Sequence, residues 1–484
     1  MNQIKIKLGI LSVLLSIAAL VKGQSTGWNN IGGNWEKNGY VDVAGPTTDS
    51  VLWETISSGV FGAPIYIEGN YLVTMRFQSP TYAPVECFEL TTGKLLWSID
   101  VTNSTGRSLP VGLRDNRVFV MRLTESQNDS LYALNVSDGS HIWTSNVNIA
   151  PYITESGVFD SIGNFYILGN SKTYKINPAN GQMIWQTPTV PMAAGSGEMA
   201  INQGNNTGYT LESGPGAISY IWAIDLFDGH KKYSHIVPQL QPGGNFPQSA
   251  LMVGKNGVIY VQMTEDNVAA LSDDGTQLNL LWQTEIYGNC SFSTMCIGSD
   301  GSVYAPSNGK IVRLNPLTGK VDNSSISIAQ GGFYSPRLSS TNNNIIYATN
   351  GENGVYAFDL SLNLLWSDVL NFTNTSGVCF GANGLAAVSG SNKIRVYTPT
   401  MTTGTYEVND VFARIYPNPA SSYFVLDVGS EIFGSAFKLI DIKGNEIKTG
   451  IVSNNSIIQL DGFPQGLYFL RIDGVNQTFK IIKL

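Results

Sequence analysis

The sequence predicts an all-β fold, and three observations carry that prediction. A glycine and a tryptophan four residues apart return repeatedly, in FELTTGKLLW (88–97), LNVSDGSHIW (134–143) and INPANGQMIW (176–185). Each period also holds a second phrase, an apolar run split by an Asn/Asp/Gly turn, as in LMVGKNGVIYVQM (251–263), MCIGSDGSVYAP (295–306) and LSSTNNNIIYAT (338–349). Asn-Gly and Asp-Gly between alternating apolar residues mark hairpins, because both turn residues tolerate positive φ. Helical spacing at i, i+3 and i+4 is nearly absent. From Trp53 to Trp366 is 313 residues in seven steps, about 45 per step, which is the period of a repeat architecture. Two hairpins per period supply four antiparallel strands. A closed ring of such units is a β-propeller, and closure removes the edges that an open array would expose. Counting phrases gives an eight-bladed β-propeller, followed by a small C-terminal β-sandwich.

The chain begins MNQIKIKLGILSVLLSIAALVKGQ. Lys5 and Lys7, an apolar run over 8–21, and small residues at Val21 and Gly23 read as a signal peptide over 1–23. No later stretch approaches 18 uninterrupted apolar residues, so no transmembrane segment is expected after its removal. Residues 24–50 are read as an N-terminal lead-in.

The propeller is placed at 51–400. Gly93/Trp97, Gly139/Trp143 and Gly181/Trp185 are full copies of the phrase. Gly229/Tyr233 changes the aromatic, Gly275 and Trp282 lengthen the turn, and Gly319 with Val321 is a degenerate copy. Trp366 follows Asn363, which stands near the glycine's place. Trp53, in VLWETI, has no preceding partner, and NKIRVYTP (392–399) lacks an outer strand. The two should pair, so that the N-terminal strand completes the last blade.

Charged residues make up 13 % of the chain, about half the usual share. The net charge is −8 and no Lys/Arg run exceeds two, which argues against nucleic acid as a partner. Cys87, Cys290, Cys296 and Cys379 are too few for a disulfide scaffold in a chain this long. Cys290 and Cys296 are near enough to bridge in an oxidising compartment; buried free thiols are the other reading.

Catalytic constellations do not emerge. The three histidines are His141, His230 and His235, and spacing cannot gather them into a metal site. His141 and His230 follow hairpin turns and should be solvated. GSGEMA (195–200) fits a nucleotide-loop pattern by letters but lacks the strand–helix context. Asp273, Asp274, Asp225 and Asp228 are read as turn formers rather than calcium ligands.

YALNVSDGSHIW, YKINPANGQMIW and VYAFDLSLNLLW resemble the Ala-x-Asp-x-x-x-Gly-x-x-x-Trp repeat of the pyrroloquinoline-quinone (PQQ) type propellers, over roughly 50–400. The resemblance implies that Trp53, Trp97, Trp143, Trp185, Trp282 and Trp366 dock between blades, against the small residue and glycine of an adjacent motif. The small position reads Ala133, Ala223, Ala270 and Ala357; Cys87, Lys175 and Arg313 depart from it, which implies looser junctions at the last two. Some members of the family are dehydrogenases of alcohols or sugars, with PQQ and calcium on the axis and often an adjacent cysteine pair. This chain has no Cys-Cys pair. Other members are non-enzymatic scaffolds, such as the outer-membrane assembly lipoprotein. No cofactor and no catalytic residue is therefore expected, and PQQ with calcium is the alternative. The expected ligand surface lies on the loops that lead into the innermost strands, at Tyr152, Phe246, Phe333, Tyr334 and Arg337. Aromatics above a polar rim suit a carbohydrate or protein ligand.

The repeat stops in a Thr/Gly-rich linker over 401–410. Residues 411–484 alternate apolar and polar positions between Gly/Asn/Asp turns, as a small sandwich would. Tyr416-Pro417-Asn418-Pro419, Asp441 with Gly444, Gly466-Leu467-Tyr468 and Lys480-Ile481-Ile482-Lys483 resemble, in order, the type A C-terminal sorting domain of the type IX secretion system of Bacteroidetes. That resemblance implies the type IX machinery as a partner and export to the medium or the outer cell surface via the periplasm.

Overall fold

The computed structural model describes residues 27–56, 59–79, 82–102, 106–123, 130–148, 157–169, 172–188, 199–213, 219–237, 251–263, 267–286, 295–329, 337–373, 376–399, 413–416, 418–428, 433–442, 444–453, 456–472 and 475–484. Contacts divide the chain into two compact units, Met1–Thr400 and Met401–Leu484.

The first unit holds eight sheets. In chain order they span 60–99, 106–148, 158–186, 200–237, 251–285, 296–324, 338–369 and 379–397, and are called sheets 1 to 8. Among the described residues sheets 1 to 7 each contain four antiparallel strands in chain order, and Tyr82–Ala83, within the span of sheet 1, pairs parallel with Gly106–Arg107 of sheet 2. Sheet 8 has three strands of its own and takes its fourth from Val51–Ile56, which pairs with Lys393–Tyr397 and sets Trp53 opposite Val396. The missing strand at one end and the surplus strand at the other thus close the ring. Among the described residues the only helical turn is Gln203–Asn205.

One row of residues repeats across the sheets. Phe119, Ala133 and Trp143 lie side by side on neighbouring strands, as do Tyr260, Ala270 and Trp282, and Tyr347, Ala357 and Trp366. The middle residue is small because two large rings meet across it, with centroids 5.7, 5.9 and 6.1 Å apart. The small residue of the repeat is thus a cross-strand neighbour of the tryptophan within its own sheet. In sheet 3 Lys175 fills the middle position, and its Nζ donates to Leu226 O of sheet 4 at 3.0 Å. The lysine spans that junction rather than loosening it.

The glycine lies in the next sheet. A Cβ on Gly139 would come 2.9 Å from the Trp97 ring, so only a hydrogen leaves room for the indole. Each indole N–H then donates to the carbonyl three residues before that glycine. Trp53 reaches Leu90 at 2.7 Å, Trp97 reaches Val136 at 2.7 Å, and Trp143 reaches Pro178 at 3.0 Å. Trp185 reaches Leu226 at 3.3 Å and Trp282 reaches Pro316 at 2.9 Å. Trp366 donates to Pro46 O at 3.2 Å, because residues just before Val51 stand where the turn of sheet 8 would be.

The two junctions without tryptophan use other donors. The Tyr233 hydroxyl donates to the Asp273 carboxylate, which also accepts from the Tyr209 hydroxyl and, at 2.8 Å, from Asn205 Nδ2. In sheet 6 the register corrects the sequence reading. Asn323, not Val321, stands at the tryptophan position, opposite Arg313, and its amide donates to Ser361 O of sheet 7. Val321 is exposed. Arg313 turns to Asp300 within its own sheet, 2.8 Å away.

In the second unit a sheet of Ala413–Tyr416, Tyr423–Val428 and Ser456–Gln459 and a sheet of Ala436–Asp441, Glu446–Ile451, Gly466–Ile472 and Val475–Lys483 share one core. Phe424 and Leu426 enter it from the first sheet; Phe437, Leu439, Tyr468 and Leu470 enter from the second.

Candidate functional site on the propeller axis

The lead-in gives the ring its centre. Its residues bond, in order, to the first strands of successive sheets. Ile67 N of sheet 1 donates to Trp28 O at 3.0 Å, Leu113 N of sheet 2 to Asn29 O at 3.4 Å, and Phe159 N of sheet 3 to Asn30 Oδ1 at 3.1 Å. Ile201 N of sheet 4 donates to Trp35 O at 2.7 Å and Val253 N of sheet 5 to Glu36 O at 2.8 Å. Ile297 N of sheet 6 reaches Asn38 O and Ser340 N of sheet 7 reaches Gly39 O, both at 2.8 Å. Tyr40–Val41 then run parallel to Ser340–Thr341 as an added strand of sheet 7.

Length alone makes this segment axial. From Trp28 to Val43 the chain can cover at most roughly 50 Å, yet it visits seven sheets, so their first strands must crowd around a narrow centre. The sequence GWNNIGGNWEKNGYV suits the task. Backbone groups buried in the middle of a protein need partners, and the short amides of Asn29, Asn34 and Asn38 supply them. Asn29 Nδ2 donates to Leu113 O, Asn34 Nδ2 to Tyr40 O at 3.0 Å, and Asn38 Nδ2 to Val253 O at 3.1 Å. Gly33, at φ +82°, turns the chain where any Cβ would strike the Trp28 ring.

One acid sits in this belt. Burial pushes the Glu36 carboxyl up to about 7, against the opposing pull of the Asn38 amide, at 3.0 Å, and of Lys255. The Lys255 ammonium lies 3.7 Å above the Tyr40 ring. The neighbouring Lys37 is 4 % exposed.

The lead-in crosses near the carboxyl ends of the first strands. Beneath it, where the chain enters the first strands of sheets 7 and 8, Arg337, Leu338, Gly377 and Val378 meet Trp28 and Ile31 of the lead-in around a cavity of about 20 Å3. That is room for roughly one water. Arg337 is therefore on the axis. Tyr152, Phe246, Phe333 and Tyr334 lie outside the described residues, as do Cys290 and residues 195–198 of GSGEMA, whose Ala200 opens the first strand of sheet 4. Cys296 is a free, fully buried thiol, and Cys87 and Cys379 are buried thiols as well. His141 and His230 are exposed at their turns, His230 beside Asp228. Asp274 accepts from the Thr276 and Gln277 backbone and from Asn279, and so closes its own turn.

The described residues do not fit a planar tricyclic quinone on the axis. Trp28, Ile31 and the belt that follows fill the centre with polypeptide, and the cavity beside them is far too small. The sequence reading had set 24–50 aside as a lead-in and missed its role; the dense run of Asn, Gly and Trp was the available signal.

The family described as outer membrane protein assembly factor BamB matches residues 37–215 and 237–404, and the family described as secretion system C-terminal sorting domain matches 414–484. β-Agarase A of Zobellia galactanivorans is 35 % identical over 69 residues, which are 14 % of this chain and 12 % of that protein. The chain thus spans a small part of the curated relative it matches. Among solved structures, BamB of Moraxella catarrhalis is similar at a TM-score of 0.53 and 13 % identity, over 72 % of this chain and 98 % of that one. Quinohemoprotein alcohol dehydrogenases of Comamonas testosteroni and Pseudomonas putida HK5 are each similar at 0.54 and 12 %, over 82 % of this chain and 84 % of theirs. At these identities the likeness is one of fold. With well over half of its residues inside the first match, the chain belongs to the BamB family of PQQ-like repeat propellers, and it ends in a type IX secretion sorting domain.

Proposed function

We propose that this protein is a binding and scaffolding propeller without enzymatic activity, working at the outer cell surface or in the medium. Its sorting domain already assigns it to type IX export. The observation that carries the binding reading is the belt of residues 28–41 across the axis, which makes the centre of the ring a packed seat. The ligand surface is then the end at which the chain enters the first strands, where Arg337 lies beside Trp28 and Ile31 of the belt and to which the sequence order assigns Tyr152, Phe246, Phe333 and Tyr334. Residues 24–410 carry 18 Lys/Arg and 30 Asp/Glu. That excess of negative charge favours an uncharged carbohydrate or a basic protein surface over a polyanion.

The competing reading is a PQQ- and calcium-dependent dehydrogenase of alcohols or sugars; two of the structurally similar proteins are titled quinohemoprotein alcohol dehydrogenases. The deciding experiment is calorimetric titration of the full chain with PQQ and calcium, together with the absorption of the quinone. No saturable uptake is expected. One quinone bound per chain would overturn the binding reading and make a panel of alcohols and sugars the next assay.

A further inference from the structure

The ring is closed twice. The outer closure is the pairing of Val51–Ile56 with Lys393–Tyr397. The inner one is the lead-in, which joins seven first strands through single hydrogen bonds and one short parallel pair. Each bond contributes little by itself, about 1 kcal/mol. The ends of the segment are anchored, Trp28 in the core shared with sheets 1, 7 and 8 and Tyr40–Val41 as a strand of sheet 7, whereas residues 32–39 between them meet sheets 4, 5 and 6 through single backbone bonds and can lift without unfolding a sheet.

Its middle contains a chemical catch. Glu36 is placed between sheets 4 and 5, where its carbonyl receives Val253 N and that of Trp35 receives Ile201 N. The charged group that faces its carboxyl from sheet 5 is Lys255, whose ammonium is also engaged with the Tyr40 ring. Ile201 and its neighbours Asn202 and Gln203, where sheet 4 meets the belt, are uncharged. On the belt itself Asn38 donates to the carboxylate; Lys37 and Asp42 are the other charged residues of this stretch. Nothing in that set compensates fully for taking a carboxylate out of water.

We propose that residues 32–39 form a releasable strap across the propeller axis, seated while Glu36 is protonated and loosened when Glu36 ionises. Burial raises this carboxyl to about 7 in the seated state, whereas the freed segment should titrate near the ordinary glutamate value. A raised carboxyl stabilises the seated form fully below the unperturbed value, and that contribution is lost as pH rises through about 7. Release would uncover the backbone N–H groups of Ile201, Val253 and Ile297, which now donate to Trp35, Glu36 and Asn38. This inference is independent of what the ring binds.

Lys37 reports on the strap, because it is buried when the strap is seated. The full chain is digested briefly with trypsin at about pH 6 and about pH 8. The cut after Lys37 is followed by mass spectrometry, and its rate is divided by that of a free peptide spanning 30–44 at the same pH. The normalised rate should rise about tenfold between the two. In Glu36→Gln the rise should vanish and the cut at the higher pH should slow. In Lys255→Met, where the carboxylate loses its facing cation, the rate at the higher pH should exceed that of the wild type. A wild-type rate without pH dependence overturns the proposal even if neither variant folds. So does a rise that survives in Glu36→Gln, or cleavage after Lys37 that appears only together with cleavage after the buried Arg114 and Lys393, since that pattern is global unfolding.

Discussion

Trp97 does two jobs at one position. Its ring covers Gly139 of the next sheet, and its N–H satisfies the Val136 carbonyl. Truncating a buried indole removes packing and leaves a cavity, at a cost of about 3–5 kcal/mol. Asn323 holds the equivalent register with an exposed amide that makes one hydrogen bond across the junction, so its loss should cost about 1 kcal/mol. Equilibrium urea unfolding should therefore place Trp97→Ala far below Asn323→Ala in stability. Equal losses would mean that the junctions do not rest on the indoles. Seven of the eight junction residues were legible in the sequence, six because tryptophan is rare and Tyr233 because it keeps the tryptophan's spacing after Gly229. Asn323 was not: it stands four residues after Gly319, as Trp97 does after Gly93, but an amide in an Asn-rich chain does not stand out. The acceptors were invisible for a different reason: they are main-chain carbonyls, which any residue supplies.

At the scale of the element, the borrowed strand Val51–Ile56 is held by charge as well as by its ladder. Glu54 accepts from Lys393 Nζ at 2.6 Å and Arg395 Nε at 2.7 Å, and Arg395 also reaches Asp368 of sheet 7 at 2.6 Å. Burial alone would raise the Glu54 carboxyl, but the hydrogen bonds and charges of Lys393 and Arg395 outweigh it and hold the carboxyl below its ordinary value. A lowered carboxyl contributes stability that is present above the unperturbed value and is lost as pH falls below it. Thermal unfolding of Glu54→Gln should accordingly begin at lower temperature than wild type near neutrality, with the gap closing below about pH 4. A gap that stays constant with pH would show that the acid acts through packing alone. The pairing itself was legible, since a strand without a partner at each end of a repeat array asks for the other. The strap was not, because it occurs once and has no period for a repeat search to find.

For the whole molecule, the tail shows why its separate motifs belong together. Asn418, held between two prolines in sequence, donates to Lys480 O at 2.6 Å and accepts from Ile482 N at 2.9 Å, while Ala420 and Ile482 share a further bond of 2.8 Å. The Tyr-Pro-Asn-Pro turn is thus fastened to the Lys-Ile-Ile-Lys strand that ends the chain, and Lys483 reaches back to Ser421 O. Tyr468 lies buried between them in sequence, with its hydroxyl on Pro464 O at 2.6 Å. These motifs could be read in order from the sequence, but their bonding could not, because it joins positions more than sixty residues apart. The tail has its own core and the propeller closes without it, so removing 411–484 should leave the ring folded and abolish its delivery. In the native host the truncated chain should accumulate inside the cell, with the unfolding temperature of the propeller unchanged. Asn418→Ala, which unfastens the turn while keeping every other residue, should reduce export partially. If the truncated chain reached the medium at the normal level, the tail would be an ordinary appended sandwich and the route of export would lie elsewhere in the chain.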